Sequence, residues 1–496
     1  MLESSVRFPF DNSYARLPAR FYARLEPTPV AAPRLVRVNT ALAEQLGLDA
    51  EALASPAGVA VLAGNHLPPG AAPMALAYAG HQFGNFVPQL GDGRALLLGQ
   101  VVGPDGARHD IQLKGSGPTP FSRSGDGRAA LGPVLREYLV SEAMAALGVP
   151  TTRSLAAVTT GQAVQRQTSL PGAVLTRVAA SHIRVGSFQY FAARDDVPAV
   201  RLLADYAIER HYPAAKAAAN PYRALLDAVI EAQASLVARW LGIGFIHGVM
   251  NTDNCSIAGE TIDYGPCAFL DAYDPATVFS SIDRTGRYAY ANQPRIAHWN
   301  LTRLAETLLP LLGETADQGL EAARAALGEF GRIFEAAYVG GLRRKIGLST
   351  QREGDAELAR DLLQRMAENG ADFTLTFRLL ADAADGPQGD ASVRGLFTDP
   401  GSYDAWAIGW RRRLGEEAPG PREARSAAMR AVNPVFIPRN HRVEAMIEAA
   451  VERQDYGPFD EMLLVLSRPY EDQPGFERYS APPGPEQRVH QTFCGT

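Results

Sequence analysis

The sequence is poor in cysteine and has no long apolar run. Only three of its 496 residues are cysteine, and no two of them form a CxxC pair. A disulfide framework is therefore excluded, a structural zinc site is disfavoured, and a reducing cytoplasm fits best. No stretch approaches the roughly 18–20 apolar residues that cross a bilayer, and the N-terminus lacks the features of a secretory signal. We therefore expect a cytoplasmic protein with no membrane partner.

An excess of positive charge is also missing. The chain has 48 Lys and Arg residues against 54 Asp and Glu residues, a formal net charge of −6. Because non-specific nucleic-acid binding needs a basic surface, we expect no nucleic-acid partner, although a local basic pocket for a nucleotide is compatible with this charge. Apolar residues at 46% and charged residues at 21% exclude a disordered chain. No repeat or coiled-coil pattern is visible, and we expect a monomer.

Predicted strands precede predicted helices along the chain. The first 70 residues or so mix short helical stretches with proline-rich turns. A strand at 95–102, a turn at 103–106 and a second strand at 109–114 predict a hairpin. A helix at 129–147 and a second strand pair, near 155–159 and 173–178, follow. Further helices are predicted at 222–241, 301–312, 321–338, 356–366, 404–414 and 443–451, with a tail over about the last 25 residues. This separation predicts an α+β fold with two lobes.

Common nucleotide and metalloprotease fingerprints are absent from the sequence. There is no GxxxxGK[ST], no convincing GxGxxG that opens a helix after a strand, and no HExxH. The chemistry must therefore come from scattered polar residues that a cleft between the two lobes brings together. The clearest local pattern runs from His247 to Asn254 and is followed by Asp263-Tyr264-Gly265.

That pattern contains the metal-binding half of a kinase-like phosphotransferase. Such enzymes bind magnesium through an Asn seven residues after the catalytic-loop His and through the Asp of a downstream Asp-x-Gly, here Asn254 and Asp263. The catalytic half differs, because Val249 occupies the position of the usual base and cannot accept a proton. The nearest carboxylate is Asp253. Three interpretations remain open: a degraded kinase, a differently placed nucleotide with Asp253 as the base, or an ordinary β-turn, since Asn-Thr-Asp-Asn is typical of turns.

Two upstream residues match the small lobe of the same enzymes. Lys114 ends a hairpin strand, where a phosphate-pairing lysine belongs. Glu137 lies 23 residues later on the following predicted helix, from which it can orient Lys114. Each residue alone is more typical of a solvated surface, but the strand and helix that separate them favour the functional interpretation.

Glycine-rich turns and arginines add candidate phosphate contacts. Gly91-Asp92-Gly93-Arg94 precedes the first hairpin strand, and Gly125-Asp126-Gly127-Arg128 precedes the Glu137 helix. Their backbone amides could hold oxyanions, although such tetrapeptides are common turns. Arg177 and Arg184 carry guanidinium forks that match phosphate oxygens, and surface ion pairs are the equally weighted alternative.

Long segments of the chain resemble the selenoprotein O family. They include HQFG, QLGDGRA, QLKGSGPTPFSR, LREYLVSEAM, HGVMNTDN and DYGPCAFLD, and the similarity extends over nearly the full chain. The resemblance implies a bilobal protein-kinase-like fold, once classed as a pseudokinase, that binds ATP in a reversed orientation. It implies transfer of AMP to Ser, Thr or Tyr hydroxyls of proteins. The corresponding domains are an N-terminal extension at 1–75, an N-lobe at 76–185, a helical C-lobe at 186–345, and a C-terminal helical extension and tail at 346–496.

The resemblance also implies roles for single residues. It makes Asp253 the proton acceptor, pairs Glu137 with Lys114, and assigns a metal, Mg²⁺ or Mn²⁺, to Asn254 and Asp263. The implied ATP-binding residues are Gly91, Gly93, Arg94, Lys114, Asp126, Gly127, Arg177, Arg184 and Asp263. UMP transfer with Mn²⁺, conventional phosphotransfer and an inactive ATP-binding module remain as alternatives. Some family members carry selenocysteine third from the C-terminus, where this chain has Cys494, and a regulatory bridge to Cys255 or Cys267 stays open.

Overall fold

An antiparallel sheet forms the first structural unit of the chain. The structure, a computed structural model, describes residues 6–417 and 422–493. The strands are β1 Tyr22–Arg24, β2 Arg34–Val38, β3 Met74–Leu76, β4 Gly80–Gln82, β5 Asn85–Val87, β6 Ala95–Val102, β7 Arg108–Lys114, β8 Ala129–Ala130, β9 Arg153–Gln165, β10 Ser169–Ala179, β11 Phe245–Ile246 and β12 Ala268–Phe269. Eight of them form one sheet in the order β1-β3-β6-β7-β10-β9-β2, with β8 also paired to β10. The pairs β4–β5 and β11–β12 stand apart from it.

Helices make up most of the remaining chain. They are α1 Thr40–Gln45, α2 Ala50–Ala54, α3 Pro56–Leu62, α4 Leu131–Ala146, α5 Val185–Ala192, α6 Val197–His211, α7 Pro221–Gly242, α8 Gln293–Leu312, α9 Ala316–Gly328, α10 Phe330–Lys345, α11 Asp355–Asn369, α12 Phe373–Asp385, α13 Asp390–Arg394, α14 Pro400–Gly415, α15 Arg422–Arg430, α16 Asn440–Arg453, α17 Gly457–Leu466 and α18 Glu477–Ser480. Among the residues described, no helix combines the length and the apolar character that spanning a bilayer demands.

The predicted β6–β7 hairpin is confirmed, and its alternation sorts the side chains between the two faces of the sheet. Ile111 and Leu113 belong to a core shared with the short helices α1–α3. Gln112 and Lys114 lie on the opposite face, where Gln112 stands across from Arg177 of β10. Because strand side chains alternate with period two, this register aims the polar residues of β7 and β10 at the same side of the sheet.

The helix that carries Glu137 begins at Leu131, two residues later than the sequence predicts, because Ala129 and Ala130 pair with β10 as β8. Pro133 therefore lies in the first turn, where its missing N–H breaks no helical hydrogen bond. Gly148, with φ of +75°, follows the helix end. Helix α4 is buried on most sides, since it packs on the sheet and also against the C-terminal helices α16 and α17.

Several sequence predictions need correction. The second strand pair is much longer than expected, because β9 and β10 extend past the core as a hairpin. The single helix predicted at 321–338 is two helices, α9 and α10. Most side chains of the predicted C-terminal tail are exposed over residues 473–493, but Gln473, Tyr479 and Thr492 are buried, and Thr492 pairs with Ser280. Proline and glycine there indicate irregular backbone, and irregular backbone can still pack.

Candidate active site

A cleft of about 530 Å³ lies between the central sheet and the loops that follow α7. All the predicted site residues except Glu137 line it, and Glu137 lies directly behind Lys114. The predicted residues in the cleft wall are Gly91, Gly93, Arg94, Lys114, Asp126, Gly127, Arg177, Arg184, Asp253, Asn254 and Asp263. Residues far apart in sequence therefore meet in one place.

Lys114 is the centre of a buried ion-pair network. Its Nζ donates to Glu137 and, at 2.6 Å, to Asp263 Oδ1. Glu137 also accepts from Arg177 Nη1 at 3.1 Å, and Arg177 donates through Nε and Nη2 to Gln112 Oε1. The network fixes two cations at the sheet side of the cleft, and both remain part of its wall.

Asp263 remains ionised in this network. Burial by itself would raise the pKa of its carboxyl group, but the neighbouring cations, Lys114 foremost and then Arg177, hold that pKa well below its usual range. The residue adopts a φ of +70°, which is uncommon outside glycine, although Asp is among the residues that tolerate it. An ionised carboxylate thus lines the cleft in contact with Lys114.

Arg184 provides a third buried cation. Its guanidinium carbon lies 4.2 Å from the centre of the Tyr78 ring, and its Nη1 lies 3.4 Å from Asp92 Oδ1. Asp92 also accepts from the backbone N–H of Leu76 and from Gln112 Nε2. Asp92 was not among the predicted site residues, yet it links Arg184 to the β7 network, and its position inside the Gly-Asp-Gly-Arg turn was the available signal.

The two glycine-rich turns approach the cleft where larger residues would not fit. Gly91 has a φ of +68°, and a Cβ there would overlap the ring of Phe121. Gly127 has a φ of +65° and packs against the backbone of Gly117. Asp126 caps the turn by accepting from Arg128 N and pairs with Arg166 at 2.9 Å. Arg166 lines the cleft and was missed by sequence reasoning, because nothing local marks it.

Asp253 is a buried carboxyl group with one unoccupied oxygen. Its Oδ2 accepts from Gln82 Nε2 at 3.2 Å, whereas Oδ1 has no hydrogen-bond partner among the residues described. Burial raises its pKa to about 6. Gly80 lies so close that a Cβ there would come within 2.4 Å of Asp253 Oδ1. Gln82 is a further residue that the sequence did not single out.

Asn254 and Asp263 fit a hard divalent cation. The Nδ2 of Asn254 donates to the carbonyl of Val249 at 3.1 Å, which turns its Oδ1 away from that contact. Asp263 contributes a carboxylate, and both residues line the cleft. No group of three His, Cys, Asp or Glu side chains suited to a metal is found in the described ranges. Mg²⁺ takes few protein ligands and completes its shell with water and phosphate oxygens, so two oxygen donors suit it.

The cysteines are not poised for redox chemistry in the described part of the chain. Cys255 and Cys267 are both buried free thiols, and burial raises the pKa of each to about 12. A thiol with so high a pKa is a poor nucleophile at neutral pH. Cys494 lies outside the described residues, so the question of its partner stays as the sequence left it.

The chain is similar to one family of known proteins over nearly its full length. The family model described as protein adenylyltransferase SelO matches residues 5–467. A protein nucleotidyltransferase YdiU from Methylorubrum extorquens (strain PA1) is 70% identical over 495 residues, which cover 99% of each chain. A protein of the same name from Rhodopseudomonas palustris (strain BisB18) is 65% identical over 492 residues, 99% of this chain and 100% of its own.

Proposed function

The chain belongs to the protein adenylyltransferase SelO family, and on that premise we propose that it transfers AMP from ATP to Ser, Thr or Tyr hydroxyls of other proteins. It is an enzyme of the transferase class, a protein nucleotidyltransferase. The nucleotide, the orientation of its triphosphate, the metal and the acceptor residues are the parts of this statement that are proposed.

We propose a bilobal, protein-kinase-like arrangement around the cleft. The strands β4 to β10 with α4 correspond to the N-lobe at 76–185, and the helices from α5 to α10 correspond to the C-lobe at 186–345. The strands β1, β2 and β3 pair into the same sheet from the extension that precedes the N-lobe. Residues 1–75 and 346–496 are extensions on this reading. Two features support it: the Lys114–Glu137 pair between a strand and the following long helix, and the Asn254 and Asp263 loops facing it across the cleft.

The observation that carries the proposal is the distribution of charge in the cleft. Three buried cations, Lys114, Arg177 and Arg184, line its sheet side. Asp253 has one oxygen without a hydrogen-bond partner among the described residues on the other side of the cleft. Val249, where a kinase would place its base, lines the same wall and has no acceptor in its side chain. This arrangement suits a triphosphate whose β- and γ-phosphates lie against the cations and whose α-phosphorus faces Asp253.

In the proposed reaction an acceptor hydroxyl attacks the α-phosphorus. The new bond joins the hydroxyl oxygen to phosphorus, the bond between the α-phosphorus and the bridging oxygen breaks, and pyrophosphate leaves. Asp253 receives the hydroxyl proton on Oδ1. Lys114, Arg177 and Arg184 bind the departing phosphates, so most of the acceleration comes from positioning and charge stabilisation.

Asn254 and Asp263 would hold Mg²⁺, with Mn²⁺ as the alternative ion. A divalent cation bound there supplies charge neutralisation at the phosphate oxygens. The Lys114 contact to Asp263 Oδ1 keeps that carboxylate in place before any nucleotide binds. Glu137 acts one step removed, since it fixes Lys114 and Arg177 and does not itself line the cleft.

A double-label experiment tests the proposal. The enzyme is incubated with whole-cell lysate and ATP labelled at either the α- or the γ-phosphate, in parallel with UTP labelled at the α-phosphate, each with Mg²⁺ or Mn²⁺. We expect label on protein from the α-position of ATP and none from the γ-position. Label from γ alone would establish a phosphotransferase, preferential label from UTP would establish uridylyl transfer, and tight ATP binding without any label would establish an inactive binding module.

An Asp263→Ala variant provides the second arm of this test. We expect it to lose both transfer and metal-dependent nucleotide binding, because the carboxylate is the ionised ligand in the cleft. An active Asp263→Ala protein would overturn the metal assignment while leaving the family membership intact.

A further inference from the structure

A surface beside the cleft carries aromatic and cationic side chains that were not assigned to the nucleotide. It consists of the β4–β5 hairpin, residues 80–87, together with Ile282, Arg287 and Trp299, and is called the hairpin surface below. Phe86 is 40% exposed and Ile282 is 62% exposed. Ile282 lines the cleft on one side of this surface, together with Gln82 and Phe83.

The hairpin is bound directly to the loop that carries Asp253. The backbone N–H of His81 donates to Thr252 Oγ1 at 2.7 Å, and that of Phe83 donates to Asn251 Oδ1 at 3.0 Å. Gln82 donates to Asp253 itself. The hairpin surface therefore begins at the proposed proton acceptor and leads away from it, where the chain flanking an acceptor hydroxyl must run.

Aromatic rings of the hairpin surface pack against one another and against neighbouring rings. His81 packs between Phe86, at 4.9 Å between ring centres, and the edge of Trp299, at 5.1 Å. Phe83 has a φ of +52° at the hairpin turn and packs on Tyr288 at 5.0 Å. Rings held by one another provide contact area with little conformational entropy to lose on binding.

Arg287 makes the surface electropositive. Its guanidinium carbon lies 4.8 Å from the centre of the Trp299 ring, and its Nε is buried without a hydrogen-bond partner among the described residues. No carboxylate of the described residues forms an ion pair with the Arg287 guanidinium. The nearby Asp283 carboxylate is occupied by the backbone N–H groups of Arg287 and Tyr288.

The other arginine on the same ring differs in this respect. Arg303 lies 5.0 Å from the Trp299 ring centre but pairs with Glu306 at 2.7 Å. Arg287 thus differs from Arg303 in having no ion pair with a carboxylate of the described residues. A partly exposed guanidinium stacked on an aromatic face can bind a carboxylate from a partner.

We propose that the hairpin surface binds the acceptor polypeptide and selects a segment with an acidic side chain close to the hydroxyl that receives AMP. Arg287 binds the carboxylate, while Phe86, Ile282 and Trp299 contact the flanking apolar atoms. This inference rests on the proposed function, because it assigns the acceptor side of that same reaction.

The test compares two synthetic peptides that each carry one serine, flanked by glutamates in one peptide and by lysines in the other. Wild-type enzyme, Arg287→Glu, Arg287→Gln and the control Arg412→Glu, which reverses an exposed charge on the distant helix α14, are assayed with α-labelled ATP. Titration of ATP into each variant measures nucleotide affinity separately.

We expect wild-type enzyme to favour the glutamate peptide by about tenfold or more in kcat/KM, mainly through KM. Arg287→Gln loses this preference, Arg287→Glu reverses it, and Arg412→Glu retains it, with ATP affinity unchanged in all. Three outcomes would show that the acceptor assignment is wrong while the transfer activity stands. Lysate proteins could accept AMP while neither peptide does, wild-type enzyme could show no preference between the peptides, or the preference could survive in Arg287→Glu. If nothing accepts AMP, the proposed function itself fails.

Discussion

Asp253 shows how burial and an unmet hydrogen bond define a reactive carboxyl group. The side chain is held from one side by Gln82, and its other oxygen meets no donor among the described residues. Leaving a buried polar atom unsatisfied costs free energy, so such an atom in a cleft indicates a group that is completed by substrate.

We predict that Asp253→Asn lowers kcat for AMP transfer by about 10²–10⁴-fold, because an amide cannot accept the hydroxyl proton. The affinity for ATP should change little, since Lys114, Arg177 and Arg184, and not Asp253, are proposed to bind the β- and γ-phosphates. Radiolabel transfer at saturating ATP, together with calorimetric titration of the nucleotide, measures both quantities. Asp227→Asn on the surface of α7 serves as the control, and full activity in Asp253→Asn would remove the residue from the reaction.

Glu260 gives the protein a pH-dependent stability that is unrelated to the cleft. Its Oε2 accepts from the backbone N–H of Ala180 at 3.0 Å, and burial raises its pKa to about 8. A carboxyl group ordinarily titrates near 4.3, so the folded state retains a proton that the unfolded state has lost. The contribution of this group to stability is therefore complete below about pH 4, declines as pH rises above the unfolded-state pKa, and is fully lost above about pH 8.

Glu260→Gln should remove that dependence, because an amide keeps an acceptor oxygen for Ala180 and cannot ionise. We expect the variant to match wild type in free energy of unfolding below about pH 4 and to exceed it by up to about 5 kcal/mol at pH 9. Urea unfolding at a series of pH values measures the difference. Parallel curves across the whole range would show that Glu260 is not protonated in the folded state.

At the scale of elements, the β4–β5 hairpin positions the loop that carries Asp253. Gly80 supplies the close approach, since its missing side chain leaves room for the carboxylate. The backbone contacts of His81 and Phe83 then fix the separation between hairpin and loop. Geometry of this kind matters because a displacement of about 1 Å in a catalytic group costs on the order of 10²-fold in rate.

We accordingly predict that Gly80→Ala lowers kcat by about 10–100-fold, since the added Cβ would push the Asp253 carboxylate out of place. ATP affinity should stay within a few-fold of wild type. Gly242→Ala at the end of α7, where a Cβ would meet no atom within 4 Å, is the matched control. Equal activity of the two variants would mean that the hairpin does not position Asp253.

Elements defined by local rules were predictable from the sequence, and those defined by distant contacts were not. The β6–β7 hairpin follows from alternation and a strong turn signal, and α4 follows from its periodicity. The three-residue strands β4 and β5 show no pattern of their own, and β8 exists only because β10 lies beside it. Tertiary pairing overrides propensity in such short segments.

The same division holds inside the site. Lys114, Glu137, Asn254 and Asp263 occupy characteristic positions relative to strands, helices and each other, so spacing alone indicated them. Gln82 lies 171 residues from the carboxylate that it contacts, and Arg166 lies 40 residues from Asp126. A single sequence does not indicate contacts between residues so far apart in the chain, because no local pattern marks them.

Across the whole molecule, the C-terminal helices support the residue that orients Lys114. Tyr138, one position after Glu137, stacks edge-on against Phe459 of α17 at 5.4 Å. Arg136, one position before it, pairs with Glu444 of α16. Met446 of α16 is buried in the same cluster. The end of the chain thus completes the packing of α4.

Met446→Ala should therefore destabilise the protein by about 2–5 kcal/mol, as expected for a cavity in a well-packed core. Because α4 carries Glu137, transfer activity should decline at a lower temperature than in wild type. Chemical unfolding followed by tryptophan fluorescence, alongside activity after heating, measures both effects. Glu448→Ala, an exposed change on the same helix, should lie within about 0.5 kcal/mol of wild type, and a similarly stable Met446→Ala would deny α16 this role.

The contact between α4 and the helices α16 and α17 also bears on the order in which the chain can fold during synthesis. During synthesis the sheet and α4 leave the ribosome some 300 residues before α16 does, as the 308-residue separation of Arg136 and Glu444 shows. A nascent chain of that length holds the Glu137 helix with one flank uncovered. We therefore expect α4, and with it Glu137, to be fully packed only after α16 and α17 have been synthesised.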